Sequence, residues 1–132
     1  MEVIFKKFKA TLLLICFVGL TLGCEDKKTK KLANPASQNC IEKGGTLQMA
    51  KRGDGGTYGI CLFEDNRQCE EWALFRGECP VGGLKIIGFI TPEGTYCALR
   101  GGKVLKDETL CQLPSGKTCS TQELYNGMFI EN

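Results

Sequence analysis

Cysteine is the residue type with the most chemical potential in this chain, and histidine is absent from all 132 positions. Without an imidazole, most nucleophilic triads, most hydrolytic zinc sites and the commonest proton shuttle are excluded. Nine cysteines remain to be explained, and beyond the N-terminal segment none of them forms a C-x-x-C pair. Disulfides are therefore expected in place of a metal cluster. Glu70-Glu71 looks like a carboxylate pair, yet neighbours on a helix point about 100° apart and do not share a substrate easily. They fit better as acids at the positive end of a helix. Gly53-Asp54-Gly55-Gly56 has no following Lys-Ser/Thr to cradle phosphate and no regularly spaced acids for calcium. It reads as a mobile hairpin loop, the kind of segment where binding concentrates on a rigid scaffold. Catalytic residues, cofactor and metal are all expected to be none. Asp54 in this loop and Trp72, which has no aromatic counterpart elsewhere, are the candidate contact residues.

The elements that position these residues come as two copies of one pattern. Pro35, Cys40, Gly44-Gly45, Cys61, Cys69, Leu74-Phe75 and Gly77 recur in order as Pro92, Cys97, Gly101-Gly102, Cys111, Cys119, Leu124-Tyr125 and Gly127. In each copy a capping residue and a proline, Asn34-Pro35 or Thr91-Pro92, open a short helix that stops at the glycine pair. Strands follow over 46–50 and 57–63, and the second copy shortens the loop between them to about Lys106-Asp107. A tight turn at Glu64-Asp65-Asn66, or at Pro114-Ser115-Gly116, sets Cys61 opposite Cys69 and Cys111 opposite Cys119. A second helix over 70–76 ends at Gly77. Leu74 and Phe75 are expected in the core. The fold class is α+β, two tandem disulfide-stapled modules at 34–80 and 91–132, with 81–90 as connector.

Four cysteines allow three pairings. The turn geometry favours Cys61–Cys69 and Cys111–Cys119, which joins Cys40 to Cys79 and leaves Cys97 as the unpaired thiol. The fourth cysteine of the second copy is replaced by Phe129, expected to plug the space of the missing bridge. Such staples contribute about 2–4 kcal/mol each to modules too small to bury a large core.

The front of the chain reads as a targeting segment. Lys6, Lys7 and Lys9 precede a mostly apolar run over 11–22, too short to span about 30 Å of hydrocarbon as a helix. Leu20-Thr21-Leu22-Gly23-Cys24 resembles the lipobox of bacterial lipoproteins, which implies a signal peptide over 1–23 and lipidation of Cys24. Residues 24–33, with the run EDKKTKK, read as a charged tether. Removing 1–23 takes out three lysines and Glu2, and the formal charge falls from +2 to 0. A neutral chain without a basic face argues against nucleic acid as a partner. Glu25 after the lipidated cysteine is compatible with an outer-membrane address facing the periplasm.

Asn34-Pro35-Ala36-Ser37, Cys40, Gly44-Gly45, Gly55-Gly56, Tyr58-Gly59, Cys61, Phe63, Cys69-Glu70-Glu71-Trp72-Ala73 and Arg76-Gly77-Glu78-Cys79-Pro80 carry a family resemblance. They resemble the small domain of uncharacterised function in bacterial envelope lipoproteins that often bears a haemolysin label. The first module matches throughout; the second keeps the frame but has Phe129 for the fourth cysteine and Gln122 for the tryptophan. The resemblance implies an exported lipoprotein with no assigned activity. A pore former needs a spanning or amphipathic apolar segment, and the chain beyond the signal has none. The expectation is a non-enzymatic, inhibitor-like binding module, anchored to membrane by lipid and contacting an envelope protein or glycan. A thiol-active envelope protein is the alternative, and a haemolysin-like membrane-active protein the third reading.

Overall fold

Asn34 opens the first helix by accepting a hydrogen bond from the Ala36 N–H at 2.9 Å, with Pro35 in the first turn. Thr91 does the same for the Gly94 N–H at 3.0 Å ahead of Pro92. The computed structural model describes residues 34–132. In chain order these form α1 (Pro35–Glu42), β1 (Thr46–Lys51), β2 (Thr57–Leu62), β3 (Arg67–Glu70), α2 (Glu71–Phe75) and β4 (Leu84–Lys85). The second copy follows as α3 (Pro92–Leu99), β5 (Lys103–Leu105), β6 (Leu110–Gln112), β7 (Thr118–Ser120) and α4 (Thr121–Tyr125). All strand pairs are antiparallel, in the orders β1-β2-β3-β4 and β5-β6-β7. The fold is α+β.

Two elements differ from expectation. The segment 81–90 is more than a connector, because β4 pairs Leu84 with Gln68 and Lys85 with Arg67 on the outer edge of β3. Phe75 is 48 % exposed, whereas Leu74 is buried. In a helix of five residues only one stripe faces the sheet, and Phe75 lies one step round from it.

The turn geometry holds. Asp65 and Asn66 both take positive φ, and the Phe63 N–H bonds the Arg67 carbonyl at 2.8 Å. Cys61 sits opposite Cys69, and Cys111 opposite Cys119. The bridges, however, do not run across the strands. They are Cys40–Cys61, Cys69–Cys79 and Cys97–Cys111, with Cα separations of 5.6, 6.1 and 5.8 Å. The expected pairs Cys61–Cys69, Cys40–Cys79 and Cys111–Cys119 are thus replaced, and the free thiol is the buried Cys119, not Cys97. Residues opposite one another on neighbouring strands project to the same face. Here that face carries helices, so each cysteine reaches upward: Cys61 to α1, Cys111 to α3, and Cys69 to the chain just after α2.

The glycine pair divides its labour accordingly. Gly44 and Gly101 take φ of +83° and +77° to end their helices. Gly45 and Gly102 make room for sulfur: a Cβ on Gly45 would lie 2.2 Å from Cys61 Sγ, and one on Gly102 2.6 Å from Cys111 Sγ. Phe129 occupies the place of Cys79. Its N–H bonds the Glu123 carbonyl at 3.3 Å, as the Cys79 N–H bonds the Ala73 carbonyl at 3.2 Å. Its ring packs against the core that contains Cys119.

Each copy has its own core, built on Cys40, Cys61, Cys69, Cys79 and Leu74 in the first, and on Tyr96, Cys97, Cys111, Leu113 and Leu124 in the second. Tyr58 of β2 crosses to the second core and meets Tyr96 edge to face at 4.9 Å between ring centres.

Candidate functional site

The loop between β1 and β2 carries hydrogen bonds of its own. The Arg52 N–H bonds the Gly56 carbonyl at 2.8 Å, and the Gly56 N–H bonds Asp54 Oδ1 at 2.9 Å. Arg52 grips the Asp54 carboxylate through Nε and Nη2 at 3.2 and 3.0 Å. The Gly56 N–H, helped by Arg52, holds the Asp54 carboxyl below its ordinary range. The loop is docked on the far end of α4. A Cβ on Gly53 would fall 2.1 Å from Asn126 Oδ1, and one on Gly127 2.6 Å from Asp54 Oδ2. The Tyr125 hydroxyl bonds the Lys51 carbonyl at 3.2 Å. Asp54 is therefore committed to internal bonds, and the loop is a joint between the copies.

Beside this joint lies a cleft of about 350 Å³ with walls from both copies. One wall is aromatic. Trp72 of α2 is 38 % exposed there and is braced edge-on by Phe75 at 5.7 Å. Tyr58 and Tyr96 form the floor, and burial pushes the Tyr58 hydroxyl above its ordinary pKa. Three guanidinium groups, from Arg52, Arg76 and Arg100, also line the cleft. Arg76 is the C-cap of α2 and holds Glu78 in a fork at 2.7 and 2.8 Å. That fork keeps the Glu78 carboxyl below its ordinary range. Arg100, the C-cap of α3, lies 3.8 Å from Glu70 and 3.7 Å from Glu131. Its Nε is buried and has no hydrogen-bond partner.

Glu70 and Glu71 both line the cleft and are both nearly fully buried, with different duties. Glu70 is the N-cap of α2, accepting from the Trp72 and Ala73 N–H groups at 3.1 and 2.9 Å, in line with its reading as a helix-end acid. Burial pushes its carboxyl above the ordinary 4.5, against those two bonds and the Arg100 charge. Glu71 instead reaches back to α1, accepting from Ser37 Oγ at 2.5 Å and Asn34 Nδ2 at 3.1 Å. These partners lie 34 and 37 residues away, and no local pattern announces them.

Of the two candidate contact residues, Trp72 lines the cleft and Asp54 reaches it only through its partner Arg52. The three arginines come from separate segments, and nothing in the sequence marks them as a set. The Cys119 thiol is pushed up by burial, the condition of an unreactive cysteine. Among the described residues no group of three or more His, Cys, Asp and Glu side chains is placed to hold a metal ion. No helix among them is long and apolar enough to cross a membrane. Cys24, the signal segment and the tether fall outside the described residues.

Fold and cleft together define a small α+β protein stapled by disulfides, with a concavity at the seam between two related halves. Residues 31–78 match the family model described as a domain of unknown function (DUF333). The chain is similar to the uncharacterized protein YoaF of Escherichia coli K12, 39% identical over 51 residues, which is 39% of this chain and 60% of that one. It is similar also to the uncharacterized protein YdbJ of the same strain, 31% identical over 48 residues, 36% of this chain and 54% of the relative. The YoaF protein of Shigella flexneri aligns as its Escherichia coli namesake does, at 39% over 51 residues. The chain thus spans only 54% to 60% of the length of these relatives. No solved structure matches.

Proposed function

We propose that this chain is a lipid-anchored protein of the bacterial cell envelope that binds an envelope component in the seam cleft and does not turn it over. The observation that carries the reading is the cleft itself: an exposed tryptophan beside three guanidinium groups, held on a disulfide-stapled frame. Rigid scaffolds with a preformed polar concavity suit recognition, since little ordering entropy is lost on binding. The lipobox-like stretch before Cys24 supports attachment through lipid, with an outer-membrane address facing the periplasm. The buried thiol of Cys119 weighs against the thiol-active alternative.

Two measurements on the full-length protein test this. Cys24→Ser is expected to release the protein from the membrane pellet into the soluble envelope fraction. Trp72 is the sole tryptophan of the chain, so its emission reports on the cleft alone. Titrating the purified lipoprotein with separated envelope fractions (sacculus digest, lipopolysaccharide, periplasmic protein) is expected to shift that emission with at least one fraction. An Arg76→Ala variant is expected to lose the shift. A Trp72 emission indifferent to every fraction overturns the binding reading.

A further inference from the structure

Resting on the binding reading above, we infer that the seam cleft takes a short, uncharged, hydroxyl-rich saccharide segment, with Trp72 as the platform for one sugar ring. Charge decides first against anionic ligands. Each guanidinium is already paired: Arg52 with Asp54, Arg76 with Glu78, and Arg100 with Glu70 and Glu131, of which only Glu70 lines the cleft itself. No guanidinium is left without a carboxylate neighbour, so a phosphate or an acidic peptide would have to compete with a carboxylate already in place. A hydroxyl group is matched to such a surface. It donates to a carboxylate oxygen and accepts from a neighbouring guanidinium N–H at the same time. The fork of the cleft-lining Arg76 with Glu78 sets donor and acceptor side by side in this way.

The aromatic wall supplies the rest. A pyranose presents polar edges and an apolar C–H face, and the face needs a flat, fixed, partly exposed ring. Trp72 has that exposure, and its edge-on contact with Phe75 at 5.7 Å holds it in place. Size weighs against a folded partner as occupant of the cleft. The concavity holds about 350 Å³, the low end for small-molecule sites, so a folded partner could enter it only by a single side chain or loop tip.

The test uses the full-length lipoprotein in a zwitterionic detergent that carries no sugar. Four probes are titrated against Trp72 emission and by calorimetry: an N-acetylglucosamine tetramer, a glucose tetramer, inorganic phosphate and a tetraglutamate peptide. At least one tetrasaccharide is expected to shift the emission saturably. Its affinity should change less than about twofold between roughly 50 and 500 mM salt, because no net charge is being screened. Trp72→Ala and Arg76→Ala should each weaken it about tenfold or more by calorimetry. Trp72→Phe, which keeps the packing on Phe75, should weaken it less, so a folding defect in the alanine variant does not spoil the comparison. A response confined to phosphate or the acidic peptide, fading with salt, overturns the saccharide assignment while the binding reading stands. Silence with both tetrasaccharides also overturns the assignment; the envelope-fraction titration then judges the binding reading separately.

Discussion

Replacing Phe129 by cysteine should complete the bridge that the second copy lacks. Phe129 and Cys119 are separated by ten residues, as are Cys79 and Cys69, and the backbone of Phe129 makes the turn that positions Cys79. Closing a loop of this size removes chain entropy worth about 2.5–3 kcal/mol. Against it stands the loss of the ring. A fully buried Phe→Ala change costs about 3–5 kcal/mol; Phe129 is only partly buried and cysteine keeps a sulfur, so a loss of about 1–2 is appropriate. The net gain is about 1 kcal/mol, or roughly 4–8 °C in Tm for a domain of this size. The partner variant Phe129→Cys with Cys119→Ser loses the ring without gaining the bridge, and should fall about 1–2 kcal/mol below the parent. Thermal melts read the stabilities, and alkylation in denaturant without reductant, followed by peptide mapping, reads the thiols. Cys119 should take label in the parent and none in Phe129→Cys. Labels on both positions 119 and 129 would refute the placement of Phe129 as the structural equivalent of Cys79. A bridged variant less stable than the parent would refute the arithmetic.

Three other changes follow from the same geometry. Gly45→Ala drives a methyl into Cys61 Sγ and should prevent the Cys40–Cys61 bridge, costing about 2–4 kcal/mol, with both thiols becoming alkylatable. Glu71→Ala strips the buried Ser37 and Asn34 groups of their acceptor and should cost about 2–4 kcal/mol in urea unfolding, while Glu71→Gln, which keeps an acceptor oxygen, should cost less. Glu70 is the pH-sensitive group. Its folded-state pKa lies above the ordinary 4.5, so the native state holds the proton longer than the unfolded chain does. The stability it contributes is complete below 4.5 and is lost as pH rises from there through the folded-state pKa. The stability of the parent relative to Glu70→Gln should therefore decline with rising pH across that window; a difference independent of pH would contradict the burial assigned to this carboxyl.

What was legible in the sequence is what nearest neighbours decide. Asn34-Pro35 and Thr91-Pro92 start their helices because a side-chain cap and a proline act within one turn. The Asp65-Asn66 turn sets the strand register locally, and the register fixes which cysteines face each other. Facing was mistaken for bonding. The true partners depend on how helices lie over sheets, a relation between segments that turn chemistry does not reach. The two-residue strand β4 has no room for an alternating pattern, so it reads as linker. The local pattern around Glu71 shows only its own helix, whereas its partners are Ser37 of α1 and the α1 cap Asn34. The cleft was the least legible feature: its arginines stand at a loop start and two helix ends, and only packing of the copies brings them to one cleft. Trp72 stands out in the sequence because the second copy has Gln122 at its position, and it lines the cleft.

The long β1–β2 loop makes the two repeats non-interchangeable. Its Gly53 and Asp54 act as a tenon, and the Asn126-Gly127 corner of the other repeat is the mortise cut for it. The corresponding turn of the second repeat is too short to serve as a tenon in its own right. A third repeat appended behind the second would find nothing to lock onto, so this mode of joining builds a pair and then stops.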